Sequence, residues 1–157
     1  MKKLLLATLL FSQYAFAGDT SLDLLNHAKT YTIQIKDTNN NVVFDNNLIF
    51  PNNVIANNSI KKYYNTCDGE FETLSYDNAN FAADITEQED QHQILTLSIN
   101  DFINKNDLVC NLDSKKIELE KFNFTEKFDL PIISYHNMVY LDKSKKEFYY
   151  INISSKK

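Results

Sequence analysis

The sequence predicts an all-β protein, or a mainly β one with a single short N-terminal helix, folded as a small antiparallel β-sandwich or barrel with one disulfide. Three observations carry this. Short segments that alternate apolar and polar residues recur along the chain, separated by spacers rich in Asn, Asp, Ser and Lys. Glycine occurs only at Gly18 and Gly69 while asparagine occurs 20 times, so most turns fall to asparagine, which tolerates positive φ better than other non-glycine residues. Finally, two cysteines in a chain that begins with an export signal favour a structural bridge over free thiols.

That signal comes first. Lys2 and Lys3 form a positive head, Leu4 to Phe11 an apolar run, and Ala15-Phe16-Ala17 places small residues at the −3 and −1 positions that a signal peptidase accepts. The apolar run is far short of the roughly 20 residues that span a bilayer. Residues 1–17 are therefore expected to be removed, leaving 18–157 as one exported β-rich domain with no transmembrane span. No cysteine follows the run, so no thiol is offered for lipid attachment.

Residues 19–29 suit a short helix with Leu22, Leu25 and Ala28 on one side and acidic residues in its first turn, or equally a loose arm. The period then changes to two. Tyr31, Ile33 and Ile35 alternate with Thr32, Gln34 and Lys36, and Val42-Val43-Phe44 resumes the pattern after an Asn39-Asn40-Asn41 turn, which gives a hairpin. Further strand candidates are 47–50, 60–64, 70–76, 93–99, 116–124, 138–141 and 147–153. The last two form the clearest hairpin, with largely apolar or aromatic arms and a charged tip from Asp142 to Glu147. Short strands with turn-rich spacers indicate antiparallel pairing rather than alternating strands and helices. No repeat or second domain is visible.

Composition narrows function by exclusion. Loss of Lys2 and Lys3 takes the net charge from −5 to about −7, a sign that repels nucleic acid and anionic lipid. No arginine is present, so the chain has no planar bidentate clamp for phosphate. Cys67 and Cys110 would close a loop of 44 residues, worth roughly 4 kcal/mol in a chain-entropy description. Their separation fits neither a Cys-x-x-Cys redox pair nor a zinc site, and no cofactor is implied.

Candidate chemistry is thin. Asp37-x-Asn39-x-Asn41 has the spacing of the first ligands of a calcium loop, but Val42 stands where the sharp-turn glycine belongs and Leu48 where the bidentate glutamate belongs, so an asparagine turn is expected. Asp84 to His92 gathers four carboxylates and an imidazole and reads as a solvated loop able at most to hold a weak cation. Ser134 and His136 put a hydroxyl two residues from an imidazole, without the Gly-x-Ser-x-Gly elbow of a hydrolase. Lys61-Lys62-Tyr63-Tyr64 and Lys145 to Tyr150 interleave cations with aromatics as single-strand binders do, yet the net charge favours strands with Lys outside and Tyr packed inward. Tyr64-Asn65-Thr66-Cys67-Asp68-Gly69 resembles the Tyr-x-Cys-x-x-Gly opening of small periplasmic lysozyme inhibitors, but its Tyr and Gly are each displaced by one position and the family's Ser-Gly-x-Gly-type loop is missing. The match does not place the chain in that family.

The expected function is therefore a non-enzymatic, periplasmic or secreted component that binds another envelope or secreted protein or takes part in envelope assembly. The alternatives are an inhibitor or immunity protein acting on an extracytoplasmic enzyme, and a small secreted hydrolase. The expected contact surface lies on the last strand. There Tyr149, Ile151 and Ile153 form the continuously apolar side that enters the core, while Phe148, Tyr150 and Asn152 form an amphipathic side free to meet a partner or to be covered by the N-terminal arm.

Overall fold

The computed structural model describes residues 29–103, 110, 111 and 119–156. The expected leader and the helix over 19–28 lie outside them. Eight strands follow in order: β1 (Lys29–Lys36), β2 (Val42–Phe50), β3 (Ile55–Asp68), β4 (Phe71–Glu87), β5 (Gln93–Ile103), β6 (Glu120–Asp129), β7 (Ser134–Tyr140) and β8 (Phe148–Lys156). They form two four-stranded sheets, ordered β2-β1-β8-β7 and β3-β4-β5-β6, and every pairing is antiparallel. The fold is all-β.

Within the sheets every pairing joins consecutive strands except that of β8 with β1, and the chain passes from one sheet to the other between β2 and β3 and between β6 and β7, the two corners of the sandwich. At the first, after the cis Phe50–Pro51 bond, Asn58 Nδ2 donates to the Val43 carbonyl at 2.7 Å. At the second, after the cis Leu130–Pro131 bond, Tyr135 packs edge-on against Phe128 with ring centroids 4.7 Å apart and donates to Glu126 at 2.8 Å.

The core follows from strand periodicity. Tyr31, Ile33 and Ile35 of β1 are fully buried, as are Leu95, Leu97 and Ile99 of β5 and Ile151 and Ile153 of β8. Phe81 of β4 joins the sheets, lying 6.4 Å from Phe44 and 5.3 Å, edge-on, from Tyr149. The interior is filled by side chains from both layers.

Several boundaries differ from expectation, each for a physical reason. The segments 42–44 and 47–50 are one strand, because Asp45, Asn46 and Asn47 pair with Gln34, Ile33 and Thr32 across the ladder. β3 and β4 run far beyond 60–64 and 70–76, since fourteen residue pairs outweigh the weak strand propensity of Asn57, Asn58, Ser59, Asn78 and Asn80. The strand expected at 116–124 is β6, which ends at Asp129; residues 116–118 lie outside the described set. The acidic stretch 84–92 is not all loop. Asp84 to Glu87 complete β4 with Ile85 buried, and only 88–92 turn.

Turns use positive φ as expected, but among the described residues asparagine supplies it only at Asn40; Gln91 and Lys145 do so elsewhere, with Gly69 at the β3–β4 tip. The 37–41 and 88–92 turns share one hydrogen-bond pattern. Asp37 N–H donates to Asn41 O and Asn40 N–H to Asp37 O, and Gln88 and Gln91 repeat this with His92 and Gln88. Such a type I turn followed by a left-handed residue depends more on backbone bonds than on residue type.

Candidate protein-binding face and end cleft

Register on the β7–β8 hairpin sets Met138 opposite Tyr150 and Tyr140 opposite Phe148. Alternation turns Tyr149, Ile151 and Ile153 into the core, as the sequence indicates, and sends Phe148, Tyr150 and Asn152 outward. Tyr150 is 37% exposed where its neighbour Tyr149 is 3% exposed. From β7 come His136, Met138 and Tyr140 on the same outer face, and the six residues form one contiguous aromatic surface on an edge hairpin. Tyr140 and Phe148 meet edge-on at 5.9 Å, and the His136 ring stacks on Tyr150 at 6.3 Å with its Nδ1 3.3 Å from the phenol oxygen. At the middle of β1 and β2 the sheet's outer face is polar, with Thr32 and Gln34 of β1 bonded to Asn47 and Asp45 of β2. Sequence reasoning reached Phe148 and Tyr150 but not Tyr140, Met138 and His136, whose place beside them depends on the β7–β8 register.

At the end of the sandwich where the β1–β2 and β7–β8 turns meet, a cleft of about 350 Å³ opens between those turns and β3. Thr38 Oγ1 locks the turns together, accepting from the Phe148 N–H at 3.0 Å and donating to the Phe148 carbonyl at 3.2 Å. Val43, Ile60, Leu141 and Phe148 give the cleft apolar walls, with Asp37, Glu147 and Lys62 as its charged lining. Phe148 belongs to both the cleft and the outer aromatic face, so the two are continuous.

Behind the cleft lies a buried polar cluster that sequence reasoning missed. Asp101 occupies the core-facing alternation of Leu95, Leu97, Ile99 and Ile103 on β5, and its side chain is fully buried. Its Oδ2 accepts from Lys62 Nζ at 2.8 Å and from the Tyr149 hydroxyl at 2.6 Å. Lys62 also donates to the Phe102 carbonyl at 3.3 Å and lies 5.2 Å from the Phe102 ring centroid. Burial pushes the Tyr149 phenol well above its ordinary pKa; the Asp101 bond and the charges of Asp101, Asp37 and Glu147 act in the same direction. The phenol is a fixed donor rather than an acid. Continuing the β5 alternation beyond Ile99 is the signal that would have exposed Asp101.

The other candidates resolve locally. Asp37 caps its own turn, its two carboxylate oxygens accepting from Asn41 N–H at 2.8 Å and Asn41 Nδ2 at 2.9 Å, as an asparagine turn requires. Ser134 and His136 lie on the exposed side of β7, where the imidazole meets the Tyr150 phenol. Within 84–92, His92 Nε2 pairs with Asp129 at 2.9 Å, and that bond, ahead of the Asp129 and Asp90 charges, raises the imidazole pKa despite the opposing effect of desolvation. Among the described residues no three His, Cys, Asp or Glu side chains converge as metal ligands.

The Lys61-Lys62-Tyr63-Tyr64 segment corrects the expectation of Lys outside and Tyr inside. Strand alternation puts one of each on either face. Lys62 turns inward to Asp101 and Tyr64 packs edge-on against Phe102 at 5.5 Å, whereas Tyr63 is exposed beside Tyr76, and Lys61 lies 4.6 Å from the Tyr76 ring centroid. Cys67 and Cys110 form the expected disulfide, with Cα atoms 5.4 Å apart. It ties the tip of the β3–β4 hairpin to the β5–β6 connection. Among the described residues no helix is long and apolar enough to cross a membrane.

No family model, curated protein or solved structure matches this chain.

Proposed function

We propose that this chain is a non-enzymatic, extracytoplasmic protein-binding component, acting in the periplasm or as a secreted protein, and that its partner, another envelope or secreted protein, docks on the outer face of the β7–β8 hairpin. The observation that carries this reading is the contiguous outer face formed by exposed Met138, Tyr140 and Tyr150 and half-buried Phe148 on an edge hairpin whose opposite face is core. Tyrosine gives large contact area at low conformational cost, and interface centres are enriched in tyrosine and methionine. The disulfide and the leader-like first 17 residues support an oxidising compartment.

The test compares the natural chain with the double variant Tyr140→Ala, Tyr150→Ala in pull-downs from the envelope fraction of the producing cell, read by quantitative mass spectrometry. The expected result is one discrete protein retained by the natural chain and lost from a variant that melts within a few degrees of it. The same proteins on both baits would overturn the reading.

A further inference from the structure

We infer that the end cleft receives an arginine or lysine side chain of the protein that docks on the β7–β8 face, an inference that rests on the proposed protein-binding role and adds the chemistry of the partner. Charge, shape and continuity support it independently. Lys62 is matched by the buried Asp101, so its charge is not available to a ligand. Asp37 and Glu147 line the same cleft, and among the described residues neither is paired with a cation. The cleft therefore carries uncompensated negative charge, in a chain whose net charge is −5. Tyr149, another residue of the cleft lining, is reached by the charges of both carboxylates.

Shape points to a long side chain with a charged end. About 350 Å³ is near the small end of ligand pockets, which run from about 300 to 1,000 Å³, and suits one side chain better than a cofactor. Val43, Ile60, Leu141 and Phe148 offer apolar contact to an aliphatic stem, Glu147 offers an acceptor to its head, and Asp37, whose oxygens are engaged by Asn41, adds its charge. The chain's own lysines show how its rings accept cations, Lys145 Nζ lying 5.4 Å from the Tyr140 centroid in this same hairpin. Because Phe148 joins the cleft to the outer aromatic face, a partner on that face reaches the cleft without bridging solvent. Long-range attraction would steer a basic partner to an acidic domain.

The test uses the full-length chain, isotope-labelled, titrated with acetyl-Tyr-Arg-Tyr-amide and with the same peptide carrying citrulline, which keeps shape and removes charge. The expected result is saturable shifts of the Thr38, Asn39, Val43 and Glu147 amides with the arginine peptide, weakened roughly tenfold with citrulline. A similar weakening is expected in Glu147→Gln and in Asp37→Asn, and none in Asp45→Asn, which removes an equal charge from the outer face of β2. Equal binding of both peptides, or shifts untouched by Glu147→Gln in a variant with an otherwise natural spectrum, would overturn the inference. Spermidine saturating the cleft more tightly than the peptide would overturn it in favour of a free polyamine. Peptide-independent dimerisation in sedimentation would overturn it in favour of a second copy's lysine. Failure of the pull-down with binding of the arginine peptide intact would instead count against the proposed partner face and leave the cleft chemistry standing.

Discussion

Tyr149 of β8 donates its phenol proton to Asp101 of β5 at 2.6 Å, a hydrogen bond that runs from one sheet to the other through the core. The Asp101 side chain is fully buried, and its other partner is Lys62 of β3, whose side chain is 29% exposed. Removing either donor leaves a buried charge short of partners. Tyr149→Phe is therefore expected to cost about 1.5–3 kcal/mol, the range for hydrogen bonds to charged groups. Lys62→Met is expected to cost about 3–5 kcal/mol, because it strips the counter-charge from a carboxylate that cannot reach water. Urea unfolding of the two variants checks the order; a Lys62→Met protein as stable as the natural chain would show that Asp101 does not need its cation.

That cluster also marks where the sequence stops being legible. Period-two alternation identified Tyr31, Ile33, Ile35, Ile151 and Ile153 as core residues because each side of those strands has one solvent regime along its length. β3 and β4 have no such uniformity. They belong to the sheet as far as Asn80, which pairs with Asn100, and beyond that point β4 leaves β5, so the distal hairpin has exposed aromatics where a buried face would be expected. Tyr63 and Tyr64 are adjacent in sequence and opposite in fate because strand alternation turns only Tyr64 toward Phe102. The outer aromatic face was half visible: Phe148 and Tyr150 follow from one strand's pattern, whereas Tyr140, Met138 and His136 require the register of the next.

Adjacent residues on β8 give a sharp contrast in stability. Ile151→Ala removes a fully buried side chain from between β1 and β7 and should destabilise by about 2–5 kcal/mol. Tyr150→Ala removes a half-exposed ring stacked on His136 and should cost about 0.5 kcal/mol or a little more. Thermal melts of the two proteins separate them. Equal destabilisation would place Tyr150 in the core and remove the proposed partner face.

Tyr31 is fully buried, and its hydroxyl has no hydrogen-bond partner among the described residues. An unsatisfied buried hydroxyl is a cost to folding. Tyr31→Phe keeps the ring and removes that cost, so a gain in stability of about 1 kcal/mol is expected by urea unfolding. A loss of similar size would show that the hydroxyl is bonded in solution.

His92 and Asp129 join the β4–β5 turn to the end of β6, and the folded imidazole titrates above its ordinary value of about 6.5. A raised folded pKa means that the contribution to stability is complete below the unfolded value and is lost as pH rises through the folded one. The pair is exposed, so solvent and salt keep the effect small. Proton NMR titration of His92 should give a lower pKa in Asp129→Asn. An unchanged pKa would show that the pair does not persist in solution.

The last prediction concerns the Cys67–Cys110 bridge. From Lys61 to Asn78 the β3–β4 hairpin extends past the point where β5 pairs with β4, so among the described residues its distal half is held by its own ladder and by the contacts of Lys62 and Tyr64 with Asp101 and Phe102 of β5. Cys67 lies one residue from the end of β3, and its bond to Cys110 fixes that tip to the connection leading into β6. The double variant Cys67→Ser, Cys110→Ser should lose up to roughly 4 kcal/mol of global stability through the released loop entropy. The loss should also be uneven. Amide exchange of Tyr63, Asn65 and Leu74 should accelerate under native conditions, because local opening no longer strains a covalent tether, while Ile33, Ile99 and Ile151 should slow or quicken only with the global stability. Exchange that rises equally at Tyr63 and Ile33, after correction for global stability, would show that the distal hairpin does not open as a separate unit.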